Sequence, residues 1–314
     1  MVNVWKTGTN LLRYRGGLNQ WAWAINRVAG LGVVLFLGLH IVDIFVVVFG
    51  ATLFNNLLFL YKGPPARLLE VFLSFGLLYH GLNGLRTIAS DFIPRLAILK
   101  FSRVVFYLQL VIFGALFLPA SFFMMWTLPQ QPFHHNIWIA IGTMGAVLLL
   151  PVIVVYAGQL KPFLFMPGGA TSDANYEAVL TRSSAASKKA DQSRIEFYIW
   201  LFMRISGIFL IALALFHMFW LHMVIGVENI SFDTIVQRWN DPLHPTLDLF
   251  WRSYDLALLA FAFTHGILGA NYSVRDYVQT LRTRKWLQVG LILIWIVLFL
   301  MGAGIIFFFH GKLA

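Results

Sequence analysis

The 314-residue chain contains no cysteine. That excludes a disulfide, a covalently attached CxxCH haem and an iron–sulfur cluster held by this chain. Any redox metal would have to be ligated through histidine. Charge is scarce too: 11% of residues are Asp, Glu, Lys or Arg, against about 25% in a soluble domain. With 59% hydrophobic residues and a mean hydropathy of +0.76, the composition is that of an integral membrane protein. The first twenty residues carry Lys6, Arg13 and Arg15 but no apolar core, so no cleavable signal peptide is expected.

The apolar runs are continuous over about 20 residues and do not alternate, which predicts spanning helices rather than barrel strands. Seven spans are expected, near 22–50, 67–90, 101–127, 136–158, 196–226, 248–274 and 286–310. The fold class is therefore all-α, a polytopic helical bundle. The net charge of +10 does not call for a nucleic-acid partner. With the N-terminus in the cytoplasm, the inner segments 1–27, 86–103, 159–204 and 275–285 hold 18 of the 23 Lys and Arg residues. That is the positive-inside bias, and it leaves the C-terminus outside.

The chain repeats itself. "RVAGLGVVLFLGLH" (27–40) matches "RISGIFLIALALFH" (204–217) at a constant offset, pairing Arg27 with Arg204, Gly30 with Gly207 and His40 with His217. "HGLNGLRTIASDF" (80–92) matches "HGILGANYSVRDY" (265–277), pairing His80 with His265, Gly81 with Gly266, Gly84 with Gly269 and Asp91 with Asp276. In both copies the Arg opens a first helix and the Asp closes a second, so both belong on the same membrane side. The halves are parallel repeats about an axis along the membrane normal. A second parallel copy of a three-helix unit needs one returning helix, which the span at 136–158 supplies. The expected division is 1–127, a linking span and cytoplasmic loop over 128–195, and 196–314.

Four histidines, His40, His80, His217 and His265, fall well inside spans, where an ionisable side chain is a functional candidate by default. A lone one is as readily a neutral side chain hydrogen-bonded between helices. Four at duplicated positions favour ligation. Neutral imidazole is a good iron ligand, and two on facing helices clamp a b-type haem. Under the two-fold axis His80 meets His265 and His40 meets His217, giving two bis-histidine sites. Gly84 and Gly269 lie one turn beyond His80 and His265 on the same face, either leaving room for a porphyrin or allowing close helix packing. Asp91 and Asp276 follow the histidines by eleven residues, about 16 Å along the same face. Arg27, Arg86 and Arg204 are positioned for haem propionates or, alternatively, as snorkelling anchors to lipid headgroups. His134, His135, His222, His244 and His310 are expected not to ligate. Asp43 and Asp255 are candidates to pair with a histidine or carry protons.

These motifs resemble the membrane-anchor cytochrome b subunits of succinate dehydrogenase and fumarate reductase (respiratory complex II). "NRVAG" with "HGLNGLRTIASD" is similar to the larger anchor, and "RISGI" with "HGILGANYSVRDY" to the smaller one, so the chain reads as a fusion of both. The resemblance implies haem ligation by His80 and His265. His40 and His217 stand where two-haem members carry ligands, which favours a dihaem protein. It also implies a quinone site near Trp23, Arg27, Asp276 and Tyr277, and docking of a flavoprotein subunit and an iron–sulfur subunit on the cytoplasmic face. Two haems go with menaquinone in that family, and the whole complex as a trimer is one arrangement open to it. The setting implied is a bacterial or archaeal cytoplasmic membrane. Three positions depart from the pattern: Asn26 replaces a histidine, Ala29 a serine, and Trp23 the quinone-site serine. Phe92 stands where the second copy has Tyr277, so one quinone site is expected. Two other readings are a proton-coupled transporter with a histidine relay, which predicts helices broken at midplane, and a b-cytochrome anchor for another dehydrogenase.

Overall fold

The computed structural model describes residues 18–126, 194–240 and 244–311. Among them six helices are long and apolar enough to cross a membrane: Gln20–Phe49, Pro65–Phe92, Phe101–Met125, Ile195–Ile225, Pro245–Tyr277 and Leu281–Phe308. They match six of the seven expected spans to within a turn or so at each end. The seventh, near 136–158, lies outside the described residues, as do most of the linker after it and His134 and His135.

In chain order the helices are α1 (Leu18–Phe45), α2 (Ala51–Tyr61), α3 (Pro64–Phe92), α4 (Leu99–Trp126), α5 (Arg194–Phe219), α6 (Phe232–Trp239), α7 (Pro245–Tyr277) and α8 (Leu281–Phe308). Their limits follow from local chemistry. Prolines open α3 and α7, where the missing N–H is not needed. Pro94 follows the end of α3. Gly50 and Gly226 take positive φ values of 99° and 79°, which turn the chain after the first span and after the fourth of those described.

α1, α3, α5 and α7 form a four-helix ring in which α1 packs on α3 and α7, and α5 packs on the same two. α4 lies against α3, and α8 lies against α7 and α1. Two clusters make the core. Val71, Leu78, Tyr79, Phe113 and Phe117 join α3 to α4, while Ile41, Trp251, Leu259, Phe263 and Ile305 join α1, α7 and α8. Large apolar side chains such as Leu35, Phe209, Ile292 and Leu300 stay exposed. A surface that apolar requires hydrocarbon around it rather than water, so the protein is a multi-pass membrane protein.

The short helices α2 and α6 lie between membrane-spanning helices. Both lie at one end of the bundle, while Arg27, Asp91, Arg204 and Asp276 lie at the other, the basic end. Phe232 N–H donates to Asn55 Oδ1 at 2.8 Å, tying α6 to α2, and Ser231 with Thr234 forms a capping box on α6. The short helix α6 carries Arg238 into the core beside α7. Arg238 donates to both Asp255 carboxylate oxygens at 2.7 and 2.5 Å, Trp239 Nε1–H donates at 2.9 Å, and the guanidinium lies 3.9 Å over the Trp251 ring. Asp255 therefore pairs with arginine and tryptophan, not with a histidine. Asp43 accepts the Tyr61 hydroxyl at 3.0 Å. Breaking a buried pair leaves the partner charge uncompensated, at a cost of about 3–5 kcal/mol. Asp255→Ala is accordingly expected to lower the thermal unfolding midpoint in detergent strongly, and Asp255→Asn to lower it less.

Candidate functional site

The repeat pairs its histidines across the diagonals of the ring. His40 on α1 faces His217 on α5, ring centres 6.3 Å apart and planes at 80°. His80 on α3 faces His265 on α7, 6.4 Å apart and at 83°. Two imidazoles bound to opposite sides of one metal, with bonds of about 2 Å, hold their ring centres about 6 Å apart. Both pairs therefore have the ring separation that two imidazoles holding one metal would need. Among the described residues no group of three or more His, Asp or Glu side chains gathers as a metal site, so these histidines come in twos.

The hydrogen bonds of the His80/His265 pair fix the tautomers. His80 Nδ1 lies 3.0 Å from the Asn26 carbonyl oxygen, which only accepts, so Nδ1 carries the proton. His265 Nδ1 lies 2.8 Å from Ser206 Oγ. The single Ser206 proton goes to the Phe202 carbonyl at 2.6 Å, so Ser206 accepts from Nδ1–H. Each Nε2 is then left with a lone pair, the form a metal needs. In the other pair His217 Nδ1 is buried with no hydrogen-bond partner, and Phe36 stacks on His40 at 5.5 Å.

The duplicated glycines sort by what faces them. A Cβ on Gly30 would come within 2.7 Å of His80 Cε1, and one on Gly207 would lie 3.6 Å from His265 Cε1. Gly30 therefore makes room for an imidazole, whereas a side chain at Gly207 would meet only ordinary contacts, the nearest to Ile88 at 3.4 Å. A Cβ on Gly266 would collide with Val34, and one on Gly81 would touch Ile211, so this pair sets helix packing. Gly84 and Gly269 face nothing within 4 Å. They are not close-packing positions. One turn beyond His80 and His265 they leave open space, and the donor set fits a b haem.

At the basic end each repeat reaches into the other. Arg27 Nη2 pairs with Asp276 at 2.5 Å, and its guanidinium lies 4.2 Å over the Trp23 ring and 5.7 Å from the Tyr277 ring. Trp23, Arg27, Asp276 and Tyr277 thus form one cluster, half of it from α1 and half from the end of α7. Arg27 Nη1 is buried without a partner, while the Tyr277 ring is exposed. The mirror cluster is Trp200, Arg204, Asp91 and Phe92. Arg204 donates through Nε and Nη2 to one Asp91 oxygen at 3.0 and 2.7 Å and lies 4.6 Å over Trp200. Trp200 was missed by the sequence reading, although the offset that pairs Arg27 with Arg204 also pairs Trp23 with Trp200. Eleven residues beyond the histidines, the two carboxylates meet the arginine that opens the opposite repeat, a pairing the spacing alone did not reveal.

Arg86 turns instead toward α4, donating to Asn83 Oδ1 at 3.2 Å and lying 5.2 Å over Phe106. His222 sits in a π-helical turn, Trp220–Ile225, that follows α5. Its Nδ1 donates to Met218 O at 2.9 Å, and its Nε2 lies 4.0 Å from Glu70, near the buried Arg67. His310 Nδ1 bonds to the Phe308 carbonyl, and His244 precedes α7.

The model of one protein family, the succinate dehydrogenase/fumarate reductase transmembrane subunit, matches residues 6–118 and 181–310. The chain belongs to that family. The two matched segments of this transmembrane subunit contain the two repeats and all four paired histidines. Among curated proteins, succinate dehydrogenase 2 membrane subunit SdhC of Mycobacterium tuberculosis is 35% identical over 79 residues, which is 25% of this chain and 58% of that protein. The chain therefore spans little more than half the length of that relative. No solved structure matches it.

Proposed function

We propose that this transmembrane subunit is the membrane anchor of a succinate:quinone oxidoreductase. It holds two b haems, one between His80 and His265 and one between His40 and His217, and passes electrons from a docked iron–sulfur subunit to a quinone. The two facing histidine pairs carry this reading, since their separation and diagonal placement suit axial ligation. When bound, the haems supply one-electron carriers between the donor and the quinone. The chain's own part is to hold the ligands in one tautomer, through the Asn26 carbonyl and the Ser206 hydroxyl, and to keep space open at Gly84 and Gly269.

Quinone reduction is assigned to the cluster of Trp23, Arg27, Asp276 and Tyr277. The unpartnered Arg27 Nη1–H is available to a quinone carbonyl, where a fixed cation stabilises charge as it develops. Tyr277 offers a hydroxyl, and Asp276, half exposed and paired with Arg27, is placed to hand on a proton. In the mirror cluster Arg204 gives Nε and Nη2 to Asp91, and Phe92 has no hydroxyl, which supports a single reducing site on this face. Arg27 and Arg204 are also the candidates nearest the basic end for haem propionates. Two haems go with menaquinone in this family, so menaquinone is the quinone proposed.

By the charge bias the basic end faces the cytoplasm and receives the iron–sulfur and flavoprotein subunits, with the C-terminus outside. A bacterial or archaeal cytoplasmic membrane suits this arrangement. Helices α1, α3 and α7 run unbroken through His40, His80 and His265, which counts against a transporter with interrupted helices. The test is a reduced-minus-oxidised spectrum with haem quantitation on the purified protein. Two b haems per chain are expected. Absence of b haem would overturn the assignment, and a single haem would remove the His40/His217 site.

A further inference from the structure

The two repeats treat their inner ligands differently. In the first half the acceptor for His80 Nδ1–H is a backbone carbonyl, that of Asn26, at 3.0 Å. In the second half the acceptor for His265 Nδ1–H is a side chain, Ser206, at 2.8 Å. Ser206 is fully buried, and its own proton is committed to the Phe202 carbonyl one turn back at 2.6 Å. The first repeat carries Ala29 at the equivalent position. No side-chain replacement removes the His80 acceptor, whereas a single substitution removes that of His265.

We infer that Ser206 is a positioning residue for His265. Its hydroxyl accepts the Nδ1–H, presents Nε2 toward His80 across the bundle diagonal, and sets how strongly that imidazole donates electrons. This rests on the reading of His80 and His265 as axial haem ligands. The physical basis is general: an acceptor on the distal ring nitrogen fixes the tautomer and raises the basicity of the ligating one. A more basic ligand favours the oxidised metal. The Phe202 carbonyl keeps the serine proton occupied, so the hydroxyl stays an acceptor throughout.

The experiment compares Ser206→Ala and Ser206→Thr with the parent protein, each in the full chain with its haems. Redox titration and low-temperature EPR of the ferric haems are the readouts. Ser206→Ala is expected to move the reduction equilibrium of one haem about tenfold toward the ferrous form, about 59 mV for a one-electron couple, and to change its EPR g values. The other haem stays at its parent potential, and Ser206→Thr, which keeps the hydroxyl, restores the shifted one. Loss of one haem in Ser206→Ala but not in Ser206→Thr supports the same role. An unmoved potential in Ser206→Ala, or equal shifts or losses in both variants, overturns it. A His265→Ala control separates the two layers. If that variant loses one haem while Ser206→Ala changes nothing, only the role of Ser206 falls. If it retains both haems, the axial-ligand reading falls and the Ser206 role with it.

Discussion

His80→Ala is expected to remove one of the two b haems and leave the second in place, and His40→Ala is expected to do the same for the other site. The pairs sit on different diagonals of the ring, α3 with α7 and α1 with α5. Removing one ligand opens one site without touching the other. The same loss is expected without altering any ligand. An alanine at Gly30 would put its Cβ 2.7 Å from His80 Cε1 and 2.8 Å from Nδ1, closer than unbonded carbon and nitrogen atoms approach. The ring would be pushed off the Asn26 carbonyl. Gly207→Ala places its Cβ at 3.6 Å from His265, an ordinary contact, and is expected to keep both haems. Haem per chain, read beside a thermal melt in detergent, checks the set. Retention of both haems in Gly30→Ala would mean that His80 is not held where the ligand role needs it.

Arg27→Ala in the assembled complex is expected to cut quinone reduction by about 10²–10³, the range seen when one preorganised donor to a developing negative charge is lost. Succinate oxidation with an artificial acceptor should be unchanged, because that reaction needs no quinone. Tyr277→Phe removes one hydroxyl and no charge, so its effect is expected to be smaller but in the same direction. Arg204→Ala serves as the internal comparison. Its guanidinium is committed to Asp91 and no phenol stands beside it, so quinone reduction should fall far less than in Arg27→Ala. Equal losses in the two arginine variants would contradict the assignment of one reducing site. Parallel assays of quinone and artificial-acceptor reduction on the same membranes separate these outcomes.

Sequence patterning went far because two constraints act along the chain. Lipid demands long apolar helices with internally satisfied backbones, so the six described spans were legible from hydropathy alone. Duplication then supplied the third dimension. Once His40 aligned with His217 and His80 with His265, parallel repeats implied which rings meet, and the rings do face each other. The amphipathic α6 segment was harder to read, since eight residues leave little periodicity and its helix depends on the Ser231 cap and on docking against α7. Arg238 and Asp255 are 17 residues apart and join through that docking. Trp200 was legible in principle, one turn before Arg204, but a tryptophan near a membrane boundary is also an ordinary interfacial anchor.

What the sequence determined by itself was the membrane class, the spans, the repeat and the four histidines, because apolar length and internal symmetry are written in residue order. Tertiary structure alone decided the rest. It chose which nitrogen of His80 and of His265 carries a proton, since that depends on acceptors 54 and 59 residues away. It separated the glycines into ring clearance, helix packing and open space, which residue type cannot do. It also distinguished Arg27, whose Nη1 is buried without a partner, from Arg204, which holds Asp91 through two nitrogens. These are differences between residues that the repeat makes look alike, and they arise because hydrogen bonds are settled at ångström distances that a sequence offset does not encode.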